Sequence, residues 1–160
     1  MEVLYIFQNK ILGWFGEKVK SKDRNLMFTA LVNGDAKTLQ KELNAMLRPT
    51  ISFYDYAENF YHGFLAGVLS GMDEYALKSN RESGTGRVDL FAKPMSVLDP
   101  AFVIELKVSN HPLKLKEDAE KAIQQIKDKG YDNELAEEGF QDIHYYGISF
   151  FRKDCFVMFE

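Results

Sequence analysis

Cysteine is almost missing from this sequence: Cys155 is the single one in 160 residues. That excludes an internal disulfide and any zinc site built on cysteines. Long apolar runs are missing too. None approaches the roughly 18–20 residues of a membrane span, and the opening residues carry no signal-peptide pattern. Positive charge is not in excess, with 20 Lys and Arg against 24 Asp and Glu, a net charge of −4. A chain with this balance touches nucleic acid through a local patch or a metal, not through net charge. There is no internal repeat and no low-complexity linker. These absences predict a soluble, reduced, intracellular chain, hence a cytoplasmic one.

What is present is core material. Apolar residues make up 46% and charged residues 28%, with 13 Phe, 8 Tyr and 1 Trp. The length suits one compact domain and is too short for two independent cores.

The apolar spacing predicts helices over the first 50 residues. Val3, Ile6, Phe7, Ile11, Leu12, Trp14 and Phe15 form the first stripe. Leu26, Met27, Ala30, Leu31 and Val32 form the second, which stops at Asn33-Gly34, a good C-cap pair. Leu39, Leu43, Met46 and Leu47 form the third, which ends before Pro49. Three short helices bury their faces poorly alone, so this lobe (1–50) is expected to pack on the core (51–160). A fourth helix, over about 55–71, carries Ala57, Phe60, Tyr61, Phe64, Leu65, Val68 and Leu69 at i, i+3, i+4 spacing.

After Gly71 the period becomes two. Strands are expected over 74–80, 87–93 and 101–108, with a glycine-dependent turn at 82–86. A helix over 116–129 follows, ended by Gly130. Strands over 143–151 and 155–159 then form a hairpin. The order predicts an α/β fold with a mixed central sheet flanked by helices.

The chemistry lies between positions 87 and 108. Strand alternation puts Arg87, Asp89, Phe91 and Lys93 on one face, and Val103, Glu105 and Lys107 on one face of the next strand. That second strand is otherwise aliphatic, the composition of a central, buried strand. Ionised groups there are costly unless paired or bound to a metal. An internal salt bridge from Lys107 to Asp89 or Glu105 is one reading. It leaves one negative charge over, which a divalent cation such as Mg²⁺ would satisfy with oxygen ligands.

Asp89, about fifteen residues of loop and strand, then Glu105-Leu106-Lys107 resembles the active site of the PD-(D/E)XK nuclease superfamily. The strings Glu58-Asn59-Phe60-Tyr61-His62-Gly63-Phe64 and Ser79-Asn80-Arg81-Glu82-Ser83-Gly84-Thr85-Gly86-Arg87-Val88-Asp89 look like one branch of it. So do Ile104-Glu105-Leu106-Lys107-Val108, Ala122-Ile123-Gln124-Gln125-Ile126 and Tyr146-Gly147-Ile148-Ser149-Phe150. That branch is the bacterial nuclease-like domain found C-terminal to an AAA-ATPase-like domain. One departure stands out: Val88 occupies the position where the superfamily name has Pro.

The resemblance implies a restriction-endonuclease-like core and a Mg²⁺-dependent phosphodiesterase, with Mn²⁺ as an alternative ion, acting on DNA or less typically RNA. Asp89 and Glu105 would hold the metal, with the backbone carbonyl of Leu106 as a further ligand and Glu58 as an extra helical acid. Lys107 would position the attacking water or stabilise the developing charge. Arg81 and Arg87 flank the glycine turn; they either grip phosphates or join Glu82 in a salt-bridge network. Gln125 sits on the flank of its helix stripe with Asp118 and Lys129. Its spacing reads as solvated surface, whereas related nucleases use a helical polar residue at the site. Glu58 and His62, four apart, read as one residue facing the site and one held by a neighbour. The rival to an enzyme is a non-catalytic module in which the same fold mediates protein contacts or regulates an attached ATPase. The chain starts inside an amphipathic helix and has no phosphate-cradling glycine loop. It is therefore expected to be a piece of a longer protein, and the resemblance implies that the missing part is an N-terminal AAA-ATPase-like domain.

Overall fold

The computed structural model describes residues 24–49, 58–79 and 89–160. The helix expected over 3–15, the glycine turn at 82–86, Arg81 and Arg87 lie outside the described residues.

Helix α1 (Asn25–Asn33) ends where expected, at Gly34, whose φ of 72° is left-handed. A Cβ there would also stand 2.5 Å from the Phe159 ring, so both conformation and packing require glycine. Helix α2 (Ala36–Leu47) follows at once, because Asp35 caps it. One Asp35 oxygen accepts the Thr38 N–H at 3.1 Å and the other accepts the Thr38 hydroxyl at 2.6 Å. Helix α3 (Glu58–Leu69) buries Tyr61, Phe64, Leu65, Val68 and Leu69.

Five strands make one sheet in the order β1-β2-β3-β4-β5: β1 (Tyr75–Ser79), β2 (Leu90–Pro94), β3 (Ala101–Val108), β4 (Ile143–Phe151) and β5 (Asp154–Phe159). Neighbours are antiparallel except β3 and β4, which run parallel with Ala101 opposite Ile143 and Val108 opposite Phe150. A parallel pair needs a crossover. It is supplied by helix α4 (Leu115–Lys129) and the short α5 (Asn133–Glu137). The sheet is mixed and flanked by helices, a restriction-endonuclease-like α/β fold. Helix α5 was not expected; five residues carry too little periodicity to be read.

Strand β3 is buried from Ala101 through Leu106, as its aliphatic composition predicts. Its side chains go alternately to two clusters. Phe102, Ile104 and Leu106 join Leu90, Ala92 and Phe150 under α1, α2 and α3. Ala101 and Val103 join Phe91, Ile126, Tyr131, Leu135 and Phe140 on the opposite face, toward α4 and α5. Met27, Leu31, Leu39, Leu43 and Leu47 belong to the first cluster, so α1 and α2 share the apolar core of the sheet.

Helix α4 comes close to β4 because Gly147 lets it. A Cβ at 147 would lie 2.3 Å from the Ala119 carbonyl oxygen. Ala119, Ala122, Ile123 and Ile126 are its buried stripe, and it stops at Gly130, φ 61°. Among the described residues, no helix is long and apolar enough to cross a membrane.

Candidate active site

Asp89 sits one residue before β2, a step beyond the Leu90–Ile104 pair, and so arrives opposite Glu105. Both are nearly closed off from solvent, at 9% and 4% exposed. They are laced together by backbone bonds. The Asp89 N–H donates to Glu105 Oε2 at 3.2 Å, and the Leu106 N–H donates to Asp89 Oδ2 at 3.0 Å. The other Glu105 oxygen accepts from the Gln125 side-chain amide at 2.5 Å. Burial, followed by the neighbouring Asp89 charge, pushes the Glu105 carboxyl up to about 8; the Asp89 N–H and the Lys107 charge pull the other way.

Lys107 forms no ion pair among the described residues. Its ammonium donates instead to the side-chain oxygen of Gln125. The result is a directed chain in which Lys107 donates to the Gln125 carbonyl and the Gln125 amide donates to Glu105. The direct Lys107 salt bridge weighed from sequence is therefore replaced by one amide between the charges. Gln125 itself is half-buried and turned to the sheet, not spread on the solvated face with Lys114, Lys121 and Lys129. Asp118, its expected companion on the flank, accepts the Ser109 hydroxyl at 2.6 Å.

Glu58 opens α3 and is exposed; its charge reaches Glu105 as the last of the influences acting there. His62, one turn on, is buried, with Nε2 3.0 Å from the Ser79 hydroxyl and 3.3 Å from the Asp89 backbone carbonyl. Among the described residues, no three His, Cys, Asp or Glu side chains gather into a metal cluster. Asp89 and Glu105 meet as a pair. Two buried carboxylates with one bridged ammonium fit a hard cation, which takes oxygen ligands and, when it is Mg²⁺, keeps several waters.

One site residue was missed. Tyr131 is 8% exposed, and its fully buried hydroxyl makes no hydrogen bond among the described residues. Burial pushes its phenol up, and the Glu105 and Asp89 charges push the same way, while Gln125 lies close enough to oppose them. It follows Gly130 directly, and its N–H bonds back to the Ile126 carbonyl at 3.2 Å. The signal was the left-handed glycine cap, which folds the next residue back over the helix end.

A mixed sheet bearing two buried carboxylates on adjacent strands, with a lysine two residues past the second, defines an α/β fold of the nuclease type. Residues 56–160 match the PD-(D/E)XK nuclease superfamily, and the chain belongs to it. Among proteins of curated function, none matches the chain.

Proposed function

We propose that this chain is a Mg²⁺-dependent nuclease domain, with Mn²⁺ as the alternative ion, that hydrolyses phosphodiester bonds in DNA or RNA. The observation that carries the reading is the buried Asp89–Glu105 pair, linked through Gln125 to Lys107. Asp89, Glu105 and the Leu106 carbonyl would hold the ion, and Glu58 would add a helical acid beside them. When bound, the ion polarises the scissile phosphate and lowers the pKa of a water. Lys107 orients that water or meets the charge growing on the phosphate, as a preorganised cation in a closed site does well. Gln125 keeps Glu105 turned to the site, and Arg81 and Arg87 grip the flanking phosphates. An acidic chain needs help to hold a polyanion, which an N-terminal AAA-ATPase-like domain in a longer protein would supply.

The net charge of −4 favours a second reading, a nuclease fold that has become a regulatory module. Incubation with plasmid, single-stranded DNA and RNA in Mg²⁺, Mn²⁺ or EDTA separates the two. Metal-dependent cleavage is expected from the wild type, with a loss of at least about a hundredfold in Asp89→Asn. The Asn variant keeps an oxygen for the Leu106 N–H and relieves the repulsion on Glu105, so its metal-free melting temperature should be unchanged or higher. Absence of cleavage from the wild type on every substrate, with no rise in its melting temperature on adding Mg²⁺, would sink the enzyme reading.

A further inference from the structure

His62 joins the two segments that carry Glu58 and Asp89. It lies on α3, one helical turn after Glu58, and is 5% exposed. Its Nε2 stands 3.3 Å from the Asp89 main-chain carbonyl oxygen and 3.0 Å from the hydroxyl of Ser79, the last residue of β1. A hydroxyl can donate to an imidazole nitrogen or accept from it, so Ser79 suits either tautomer. A carbonyl only accepts, so Asp89 selects the tautomer with the hydrogen on Nε2. The opposite tautomer would set two lone pairs against each other in a buried place, where polar groups are normally paired.

Asp89 precedes β2 and so stands outside the strand ladder. Bonds on two sides place it. Toward β3, its N–H donates to Glu105 Oε2 and its Oδ2 accepts from the Leu106 N–H. Toward α3, its carbonyl meets His62. With N–H and carbonyl both held, the direction of the carboxylate between them is set. The helix itself has other anchors: Tyr61 stacks on Phe150 at 4.5 Å and donates to the Arg152 carbonyl at 2.7 Å. The imidazole is therefore not needed to keep α3 in place. We propose that His62 is a positioning residue that fixes Asp89 from the helix side, by donating its Nε2–H to the Asp89 main-chain carbonyl. Within the nuclease reading, on which this purpose rests, the bond keeps the Asp89 carboxylate beside Glu105 for a cation. It also sets the turn of α3 that bears Glu58 against the pair.

The test is amide hydrogen exchange in EDTA, read at Leu106. That N–H has the Asp89 carboxylate as its acceptor, so its protection reports on Asp89, whereas Phe102 and Ile104 lie in the β2–β3 ladder. His62→Leu should speed exchange at Leu106 about tenfold relative to Phe102 and Ile104. His62→Gln, whose amide can put a donor where Nε2 stands, should restore most of that protection. Ser79→Ala leaves the Asp89 carbonyl in place and should not change Leu106. Should His62→Leu not fold, His62→Asn, whose shorter amide falls short of Asp89, carries the comparison with His62→Gln. The nitrogen spectrum of the wild-type imidazole should show the hydrogen on Nε2. Calorimetric titration with Mg²⁺ should show an affinity about tenfold weaker in His62→Leu and largely recovered in His62→Gln. Equal acceleration at all three amides, or an imidazole hydrogen on Nδ1 alone, overturns the positioning role, even if the wild type cleaves. The expected exchange pattern in a wild type that neither binds Mg²⁺ nor cleaves overturns the nuclease reading and leaves the placing of Asp89 by His62 standing.

Discussion

Two helices present amide side chains to the sheet, α2 at the β5 edge and α4 over β3. At the edge, Asn44 Oδ1 accepts the Cys155 N–H at 2.8 Å and Gln40 Oε1 accepts the Val157 N–H at 3.0 Å. Residues 40 and 44 are one helical turn apart, and 155 and 157 are successive outward N–H groups of an edge strand. The amides close an edge that would otherwise invite another chain. Over β3, Gln125 meets an ammonium and a carboxylate instead. The first region ties uncharged amides to backbone N–H groups. The second keeps like charges adjacent and a hydroxyl unpaired. Stability is concentrated at one side of the sheet, and chemistry at the other.

The largest effect on that division should come from Gly147→Ala. The added Cβ would collide with the Ala119 carbonyl, which is backbone and cannot swing aside. Either α4 lifts from β4 or the strand bends, a loss of about 2–3 kcal/mol or more. Lifting α4 also withdraws Gln125, so urea unfolding should show lower stability and an assay of the remaining folded protein should show weaker metal binding. A fall in stability with unchanged metal affinity would mean that α4 does not set the site.

The next effect is one of pH, confined to the site. Glu105 titrates at about 8 in the folded chain against an ordinary 4.5. The raised value means that the fold prefers the protonated acid. The contribution is whole below about pH 4.5, is lost as pH climbs through the window to about 8, and is constant beyond. Without metal, the wild type should therefore lose stability from pH 5 to pH 8 by at least about 1 kcal/mol more than Glu105→Gln, or roughly 2–4 °C of melting temperature. Stabilisation by Mg²⁺ should grow across the same window, because the ion competes with that proton. Parallel melting curves for the two proteins would contradict the raised value.

Much of this could be read from residue order, for physical reasons that differ by element. Strand β3 was legible to its ends because Asp99-Pro100 opens it and its residues are apolar but for Glu105 and Lys107. Helices α1 and α4 were legible at their C-termini because Gly34 and Gly130 take left-handed turns. The meeting of Asp89 and Glu105 was legible because charge is so unfavourable in an aliphatic strand. Gln125 was not, since a stripe fixes the rotation of a helix only to within about a residue, and a flank position can face either way. The expected start of β2 at 87 lies outside the described residues; among them the strand opens at Leu90, after Asp89. The parallel pairing of β3 with β4 depends on where α4 crosses, a long-range matter that no local pattern carries.

The smallest effect should come from making one chemical change in both regions. Asn44→Leu removes the partner of the Cys155 N–H, in a strand residue that is itself buried. A buried N–H left unpaired is unfavourable by about 1–3 kcal/mol, and the site is only partly closed, so the loss should fall near the lower end. That corresponds to about 2–4 °C. Gln125→Leu removes an amide of the same kind but leaves an ammonium and a carboxylate able to meet directly. Its metal-free melting temperature should shift by less than that of Asn44→Leu, whereas cleavage should fall in Gln125→Leu and be kept by Asn44→Leu. If Gln125→Leu proves the more destabilising of the two in EDTA, the amide over β3 is structural like those at the edge, and the contrast between the two sides of the sheet fails.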